Sequence, residues 1–181
     1  MSHKSLNKKG KIVVEPDELR SGTTYVAATR RLAHFLRARH DAACQARGLR
    51  VWQTPDVVTW PELLRRQFDA DRAAGRTSAR WLDAGHGLIV WERMPSGLGA
   101  VAQRSWELLH AYRIPVGVLA GDASPEVQSF GRWAVEFGRW LDQGGWLDPA
   151  QASLTVGPPA NDKPLEFVGF DRCTPAQEAF I

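Results

Sequence analysis

Around its first strand pattern, the sequence lacks the residue types that commonly bind a nucleoside triphosphate. It has no glycine between Gly22 and Gly48 and no lysine between Lys11 and Lys163. A Walker loop needs glycines so that its backbone amides can surround the phosphates, and a lysine to reach the terminal phosphate. The sequence therefore excludes a Walker loop in residues 24–40, TYVAATRRLAHFLRARH, where an apolar strand pattern runs into a basic helical one.

Residue patterns for metal or nucleophilic catalysis are also absent. The two cysteines, Cys44 and Cys173, lack the paired spacing of a zinc site or a disulfide framework. No histidine pairs with another at a helical ligand spacing beside a carboxylate. The dipeptides Pro16-Asp17 and Pro55-Asp56 lack the later acid and lysine of a metal-dependent nuclease. We therefore expect no catalytic residues, no metal and no cofactor in this chain.

The sequence contains no apolar run long enough to cross a membrane, and its first residues lack the apolar core of a signal peptide. With only two cysteines, these features predict a cytoplasmic location. A chain of 181 residues that is 44% hydrophobic can form one domain or two small lobes. Its eight tryptophans must mostly be buried or stacked against a partner.

Charge is unevenly distributed along the chain. Residues 24–50 contain six arginines and one acid, Asp41, whereas residues 122–181 contain nine acids and four bases. A basic face near the N-terminus suits a polyanion such as DNA. The alternative is a solvated, arginine-rich helix with no partner.

The first part of the chain alternates strand and helix patterns. TTYVAAT predicts a strand, and a helix follows from Arg30 to Gly48 with Leu32, Phe35, Leu36 and Ala43 on its apolar face. LRVWQT, residues 49–54, predicts a second strand that stops at Pro55, and VVTW, residues 57–60, either extends it or forms a turn. Thr59 and Glu62 have the spacing of a capping box, which predicts a helix ending at Gly75. This alternation predicts an α/β fold with a parallel sheet.

The next ninety residues are predicted to lack strands. Helices are expected over residues 81–94, over residues 101–113 and from Ser124 to the glycines at 144–145. The helix expected over residues 101–113 has Val101, Ser105, Leu108 and Tyr112 along one side. A turn-rich connection, the strand LEFVGF and a helix capped by Thr174 complete the chain. Because that helix is cut short, we expect the chain to be a fragment of a longer protein.

Binding residues remain as candidates once catalysis is set aside. Thr29 precedes two arginines at the positive end of the first helix, where amides and guanidinium groups could hold a backbone phosphate. Tryptophans in or near loops could stack on unpaired bases. The candidate DNA-binding residues are Thr29, Arg30, Arg31, Arg37, Trp52 and Trp60.

The order of these segments resembles a known family. TTYVAATRRLAHFLRARHDAACQARGLRVWQTPDVVTWPELL, LIVWERM, RSWELLHAYRIP, FGRWAVEFGRWLDQGGWLDPA and FVGFDRCTPAQEAFI are similar to the N-terminal part of bacterial probable DNA repair proteins related to AddB and RecB-family exonucleases. The resemblance covers residues 23–181. It is carried by ordered local matches, including the return pattern VGFDRCTPAQE.

The resemblance implies a small RecA-like parallel sheet, like that of a superfamily 1 helicase, with a large all-helical insertion. It divides the chain into a basic tail with a possible edge strand (1–22), the first part of the RecA-like subdomain (23–76), a helical insertion (77–150), a linker (151–164), and a return strand with the start of a helix (165–181). It also places Asp171 near the magnesium-binding acid of such motors. Because Arg172 follows it and there is no Walker lysine, we do not expect Asp171 to bind a metal. The substitution of AATRRL for the glycine-rich loop argues against ATP binding.

Two functions follow as hypotheses. In the first, the chain is a non-catalytic, helicase-like region of a bacterial DNA repair nuclease, and it contacts DNA and the remaining domains of that nuclease. In the second, it is a protein-interaction scaffold that makes no contact with nucleic acid. The nuclease activity itself is expected to reside elsewhere in the parent protein.

Overall fold

The computed structural model describes residues 19–93, 97–157 and 163–180. The possible edge strand KIVVE lies outside these residues. The strands are β1 (Thr24–Ala27), β2 (Asp56–Thr59), β3 (Arg80–Trp81), β4 (Trp146–Leu147) and β5 (Leu165–Val168). The α-helices are α1 (Arg30–Ala46), α2 (Trp60–Ala73), α3 (Ala84–Arg93), α4 (Gly99–Ala111), α5 (Pro125–Gly144), α6 (Pro149–Thr155) and α7 (Pro175–Phe180).

The chain divides into two compact units, and the boundary falls within α2. The first unit is Met1–Leu63 with Pro159–Cys173, and the second is Leu64–Pro158 with Thr174–Ile181. The predicted α/β class and the parallel sheet are therefore both confirmed, with the three-stranded sheet in the first unit and most helices in the second.

The sheet of the first unit has the strand order β2-β1-β5, and both pairings are parallel. Val26 at the centre of β1 pairs with Val58 on one side and with Phe167 on the other. All four residues of β1 are buried, as expected for the middle strand of a parallel sheet. Leu36 of α1 and Val168 of β5 belong to the same apolar core.

Helix α1 presents a different face to the core from the one that its pattern predicts. Ala33, Leu36 and Cys44 are its buried residues, whereas the side chain of Phe35 is 49% exposed. At 100° per residue, Phe35 lies on the far side of the helix from the line joining Ala33 to Cys44. The prediction that Phe35 lies on the apolar, core-facing side of α1 was wrong, because Ala33, Leu36 and Cys44 are buried in its place.

The second strand begins later than predicted. Within the described chain, residues 49–55 form neither helix nor strand, and Val51 is largely exposed. Pairing starts after Pro55, at Asp56. The carboxylate Oδ2 of Asp56 accepts a hydrogen bond from the Thr24 hydroxyl at 2.7 Å. The paired backbone of β2 therefore follows Pro55, since proline has no amide hydrogen to donate.

The capping box of α2 is confirmed. The Thr59 amide donates to Glu62 Oε2 at 2.7 Å, and this hydrogen bond lowers the pKa of the Glu62 carboxyl from its usual value. The helix continues to Ala73, and Gly75 takes a positive φ of 69° just beyond it. The start and the stop of α2 were both readable from the sequence.

The second unit is built around stacked aromatic rings. Trp91 of α3 lies 4.3 Å from Phe137 of α5 between ring centroids, and Trp106 of α4 meets Phe137 edge-on at 5.2 Å. Leu82 and Leu141 complete this core. Trp91 and Trp106 are buried, and partly buried tryptophans at 133, 140 and 146 pack against the same core, which accounts for most of the unit's indole rings.

Two predictions about this region were wrong in detail. Residues 77–150 are not all helical, because β3 and β4 pair in parallel, with the Leu82 amide donating to the Leu147 carbonyl at 2.9 Å. The predicted linker, residues 151–164, contains most of α6. Two-residue strands give no periodicity to detect, and Asp148-Pro149 begins a helix where its residue types suggested a turn.

A buried carboxylate joins two elements of this unit. Asp148 Oδ1 accepts hydrogen bonds from the Trp106 indole at 3.1 Å and from the Ala150 amide at 2.9 Å, which caps α6. Burial raises the pKa of Asp148 above its usual value, and these two donors partly oppose that rise.

Among the described residues, no helix is both long and apolar enough to span a membrane.

Candidate nucleic-acid interface

The candidate interface lies where the three parallel strands end. The carboxyl ends of parallel strands share one edge of the sheet, which carries Thr29 and Arg30 after β1, Trp60 after β2, and Phe170 after β5. Because β2 and β5 lie on opposite sides of β1, the chain leaves β1 toward one neighbour and returns beside the other. Open α/β sheets bind ligands at such a switch point.

The β1–α1 junction itself is short and filled. Only Ala28 and Thr29 separate the strand from the helix, and the Ala28 amide donates to the Val168 carbonyl at 3.0 Å. The Thr29 hydroxyl accepts from the Leu32 amide at 3.1 Å and caps the helix. The side chain of Leu32 packs so closely on Gly169 that a Cβ there would collide with it. The link between β1 and α1 is therefore too short to form a phosphate loop, and Leu32 packs against the backbone that follows β5.

Two of the predicted arginines are exposed at this edge. Arg30 and Arg31 form the first turn of α1, which contains no acidic residue. The Ala33 amide makes the first intrahelical bond, to the Thr29 carbonyl at 3.0 Å, so the amides of Arg30 and Arg31 lie ahead of the hydrogen-bonded ladder. Arg30 is near enough to Glu62 to contribute, after the Thr59 hydrogen bonds, to lowering the pKa of that carboxyl.

Arg37 is placed differently from the other two arginines. It is half-buried, and its Nη2 donates to the backbone carbonyl of Val57 in β2. Its charge also contributes to the lowered pKa of Glu62. Arg37 therefore braces α1 against the sheet in this structure.

Trp60 lies at the carboxyl edge, at the first position of α2. It is half-buried, and its ring is tilted against Phe167 with centroids 6.2 Å apart. Phe170, also half-buried, meets Phe167 edge-on at 5.5 Å. Phe170 belongs to the return pattern VGFDRCTPAQE but was not predicted to bind DNA, although its position at the end of a strand pattern is the signal that could have suggested it.

Trp52 lies at the opposite edge. Its indole Nε1 donates to Asp41 Oδ1 at 2.7 Å, and it precedes the amino end of β2. Because Trp60 follows the carboxyl end of the same four-residue strand, about 13 Å of strand separates the two positions. The structure thus groups Thr29, Arg30, Arg31 and Trp60, and leaves Trp52 apart.

A cavity of about 270 Å³ lies at the amino edge near Trp52. Cys44 lines it, with His40 Nε2 3.5 Å and Arg47 Nη2 3.3 Å from its sulfur. The sequence analysis missed this group, although its i−4 and i+3 spacing on α1 was visible. The charged side chains around the cavity have both signs: Arg20, Arg47, Asp56 and Lys163.

Asp171, which the family resemblance places near a magnesium-binding acid, is exposed in the loop after β5. Across residues 19–93, 97–157 and 163–180, no three histidine, cysteine or acidic side chains are placed to share a metal ion.

The chain matches no protein-family model, and no curated protein matches it significantly.

Proposed function

We propose that this chain binds single-stranded or forked DNA through the carboxyl edge of its parallel sheet, as a non-catalytic, helicase-like region of an AddB/RecB-type repair nuclease. The observation that carries the proposal is the exposed pair Arg30 and Arg31, at the positive end of a 17-residue helix and at the sheet edge where ligands bind.

The electrostatics of this edge favour a phosphate group. The N-terminus of a helix carries about half a positive charge, and two guanidinium groups add to it. Glu62 offsets part of this charge, since it interacts with Arg30 and Arg37. Arg31 is exposed and is not among the charges that lower the pKa of Glu62. We therefore assign the largest share of phosphate binding to Arg31.

The fold is consistent with a RecA-like origin, and this assignment is part of the proposal. The sheet is parallel and has β1 at its centre, with a first helix after β1 and a return strand beside it. This is the arrangement that the family resemblance implies. A helical block lies between β2 and β5 in the chain. Without a phosphate loop, such a region would hold DNA or brace the remaining domains of the nuclease.

The test is fluorescence anisotropy with labelled single-stranded and forked oligonucleotides over a range of salt concentrations. The double variant R30A/R31A should bind at least about tenfold more weakly, and the slope of log K against log salt should fall by about 1.4, the value for two phosphate contacts on a single strand. Arg37 is left unchanged because its guanidinium bonds the Val57 carbonyl.

The matched control is R132A/R139A, which removes the same charge from two exposed positions on α5. It should bind with nearly the affinity and the salt slope of the unmodified chain. Equal losses in the two double variants would mean that only net charge matters, and unchanged binding in R30A/R31A would remove the proposal.

A second candidate function is supported by a different surface. Helix α4 exposes Val101, Leu108 and Tyr112 at 64%, 44% and 55% respectively, with Leu98 and Ile114 exposed at its two ends. Contiguous apolar surface of this kind is typical of protein contacts. The scaffold function is therefore retained as the alternative, with α4 as its contact surface.

A further inference from the structure

The cavity of about 270 Å³ at the amino edge of the three-stranded sheet is built from four separate segments of the chain. Parallel strands all begin at the same edge, so the segments that precede them meet there. Each segment contributes a side chain to the lining: Arg20 before β1, Trp52 before β2, Lys163 before β5 and Arg47 just after α1. We call this space the amino-edge cavity.

Positive charge exceeds negative charge around the amino-edge cavity. The cationic side chains that line it are those of Arg20, Arg47 and Lys163, and all three residues are exposed. The one carboxylate in the lining belongs to Asp56, which is half-buried and accepts a hydrogen bond from the Thr24 hydroxyl at 2.7 Å. With histidine counted as neutral, three cations and one anion leave two positive charges.

The carboxyl end of α1, which reaches the same edge, does not cancel this charge. The last carbonyl groups of a helix carry a partial negative charge. In this helix three of them accept hydrogen bonds from the amides of residues 47–49, at 2.8–3.2 Å. Arg47 Nη2 also donates to the Cys44 sulfur at 3.3 Å, which holds the guanidinium against the cavity. That contact uses one of the five N–H groups of a guanidinium.

A phosphate monoester matches both the charge and the size of the amino-edge cavity. Such a group carries about −1.5 to −2 charge near pH 7, whereas a carboxylate or an internal phosphate of DNA carries a single charge. Guanidinium and ammonium groups both bind phosphate oxygens. Trp52 and Leu49 add apolar surface for the group on the other side of the ester. The volume lies below the roughly 300 Å³ at which drug-sized pockets begin, so a nucleoside triphosphate is too large.

We propose that the amino-edge cavity binds a phosphate monoester, with the phosphate group on Arg20, Arg47 and Lys163 and the ester group against Trp52. The same chemical group occurs on small phosphorylated molecules and at the 5′ end of a DNA strand, and the experiment below distinguishes these two sources. The cavity lies at the opposite edge of the sheet from the arginine pair at the start of α1. The proposal therefore does not depend on the DNA binding assigned to that pair.

The first measurement is isothermal titration calorimetry with phenyl phosphate at pH 7.5. The unmodified chain should give saturable binding, and R20A/K163A should bind at least about tenfold more weakly, the effect of losing one charge-assisted hydrogen bond. Arg47 is kept because it bonds the Cys44 sulfur. Phenyl sulfate, which has a similar shape and a single charge, should bind the unmodified chain more weakly than phenyl phosphate does.

The matched control is R132A/R139A, which removes the same charge from α5 and should bind phenyl phosphate with the affinity of the unmodified chain. Thermal unfolding checks that each variant is folded, which we expect because the replaced residues are exposed. Lys163→Gln, which removes one charge only, repeats the test if the double variant unfolds. Equal losses in the two double variants, or equal affinity for phenyl phosphate and phenyl sulfate, would overturn the proposal.

The second measurement identifies the source of the phosphate monoester. It compares a thymidine 12-mer that has a 5′-phosphate with one that has a 5′-hydroxyl, both labelled at the 3′ end. Tighter binding of the phosphorylated strand, lost in R20A/K163A, assigns the site to strand ends. Equal binding of the two strands, together with saturable binding of phenyl phosphate, assigns it to small molecules. No binding of phenyl phosphate and no preference for the phosphorylated strand would remove the site.

Discussion

The imidazole of His110 is packed edge-on against the indole of Trp106, with ring centroids 4.3 Å apart. Its Nε2 is buried and has no hydrogen-bond partner among the described residues. Burial lowers the pKa of His110 from its usual 6.5 to about 4. The neutral ring therefore suits the folded state, and protonation opposes folding.

This gives a prediction at the scale of one residue. Because the folded pKa lies below the unfolded value, stability that is present above about pH 6.5 should be lost as the pH falls toward 4. The loss is at most about 3 kcal/mol, and solvent around the partly exposed ring reduces it. Urea unfolding of the native chain and of His110→Leu at pH 7.5 and pH 4.5 measures the difference.

The free energy of unfolding of the native chain, relative to that of His110→Leu, should fall between pH 7.5 and pH 4.5. Asp148, whose pKa is raised by burial, titrates in both proteins and largely cancels from the comparison. A stability difference that is the same at both pH values would show that His110 is not the titrating group.

At the scale of an element, the junction between β1 and α1 decides whether the sheet edge can accept a nucleotide. Gly169 takes a positive φ of 76°, which turns the chain away after β5 and brings its backbone against Leu32. The Ala28 amide is already bonded to the Val168 carbonyl. The junction between β1 and α1 thus offers few free amides of the kind that a phosphate loop uses. The side chain of Leu32 packs against Gly169 beside it.

We therefore predict that the chain binds no ATP at this junction. Isothermal titration calorimetry with ATP and magnesium should give no saturable signal at concentrations up to the millimolar range. The reason is steric and electrostatic together, since two linking residues cannot surround phosphates and no lysine lies nearby in the sequence. A saturable, magnesium-dependent signal that Leu32→Ala strengthens would contradict this account of the junction.

At the scale of the whole molecule, apolar surface is unevenly distributed. Most of the aromatic rings of the second unit are in its core, yet α4 leaves a row of apolar side chains exposed on its outer side. Val101, Leu108 and Tyr112 recur at helical spacing, and Ser105 lies between them. The sequence pattern of α4 correctly grouped these residues on one side, and the structure shows that this side faces outward.

The exposed row predicts a measurable property of the folded chain. The native chain should bind the apolar dye ANS, and V101S/L108S should reduce the fluorescence without lowering the melting temperature by more than a few degrees. Ile89→Ser with Val135→Ser, at apolar positions of similar exposure, should have a smaller effect because they lie on different helices. A large fall in melting temperature in V101S/L108S would mean that α4 buries this row.

Local signals predicted the features that depend on a few adjacent residues. The capping box at Thr59, the Ser124 cap with Pro125 and the left-handed Gly145 after α5 are all present. Hydrogen bonds between neighbours in sequence form whatever the distant chain does, so residue types at fixed spacing suffice. For the same reason, Thr29 could be identified as a cap of α1 before its surroundings were known.

Features that depend on distant partners could not be predicted in this way. The sequence could not say that Arg37 bonds the Val57 carbonyl or that Trp52 pairs with Asp41. The sequence also placed Phe35 on the apolar face of α1, because the spacing of Phe35 fits such a face about as well as the spacing of Ala33 does. Which face packs inward depends on the sheet beneath, whose register is set by strands more than a hundred residues apart.

The α/β class, the positions of most helices, the clustering of arginines near the start of α1 and the lack of a Walker loop could all be predicted from the sequence. These follow from composition, periodicity and spacing, which act over a few turns of chain. The side chains that share the carboxyl edge, and the side of α1 that is exposed, became known only from the folded structure. Both depend on packing, because the central strand β1 is completed by β5 from the far end of the chain, and its contacts select one face of the helix over the other.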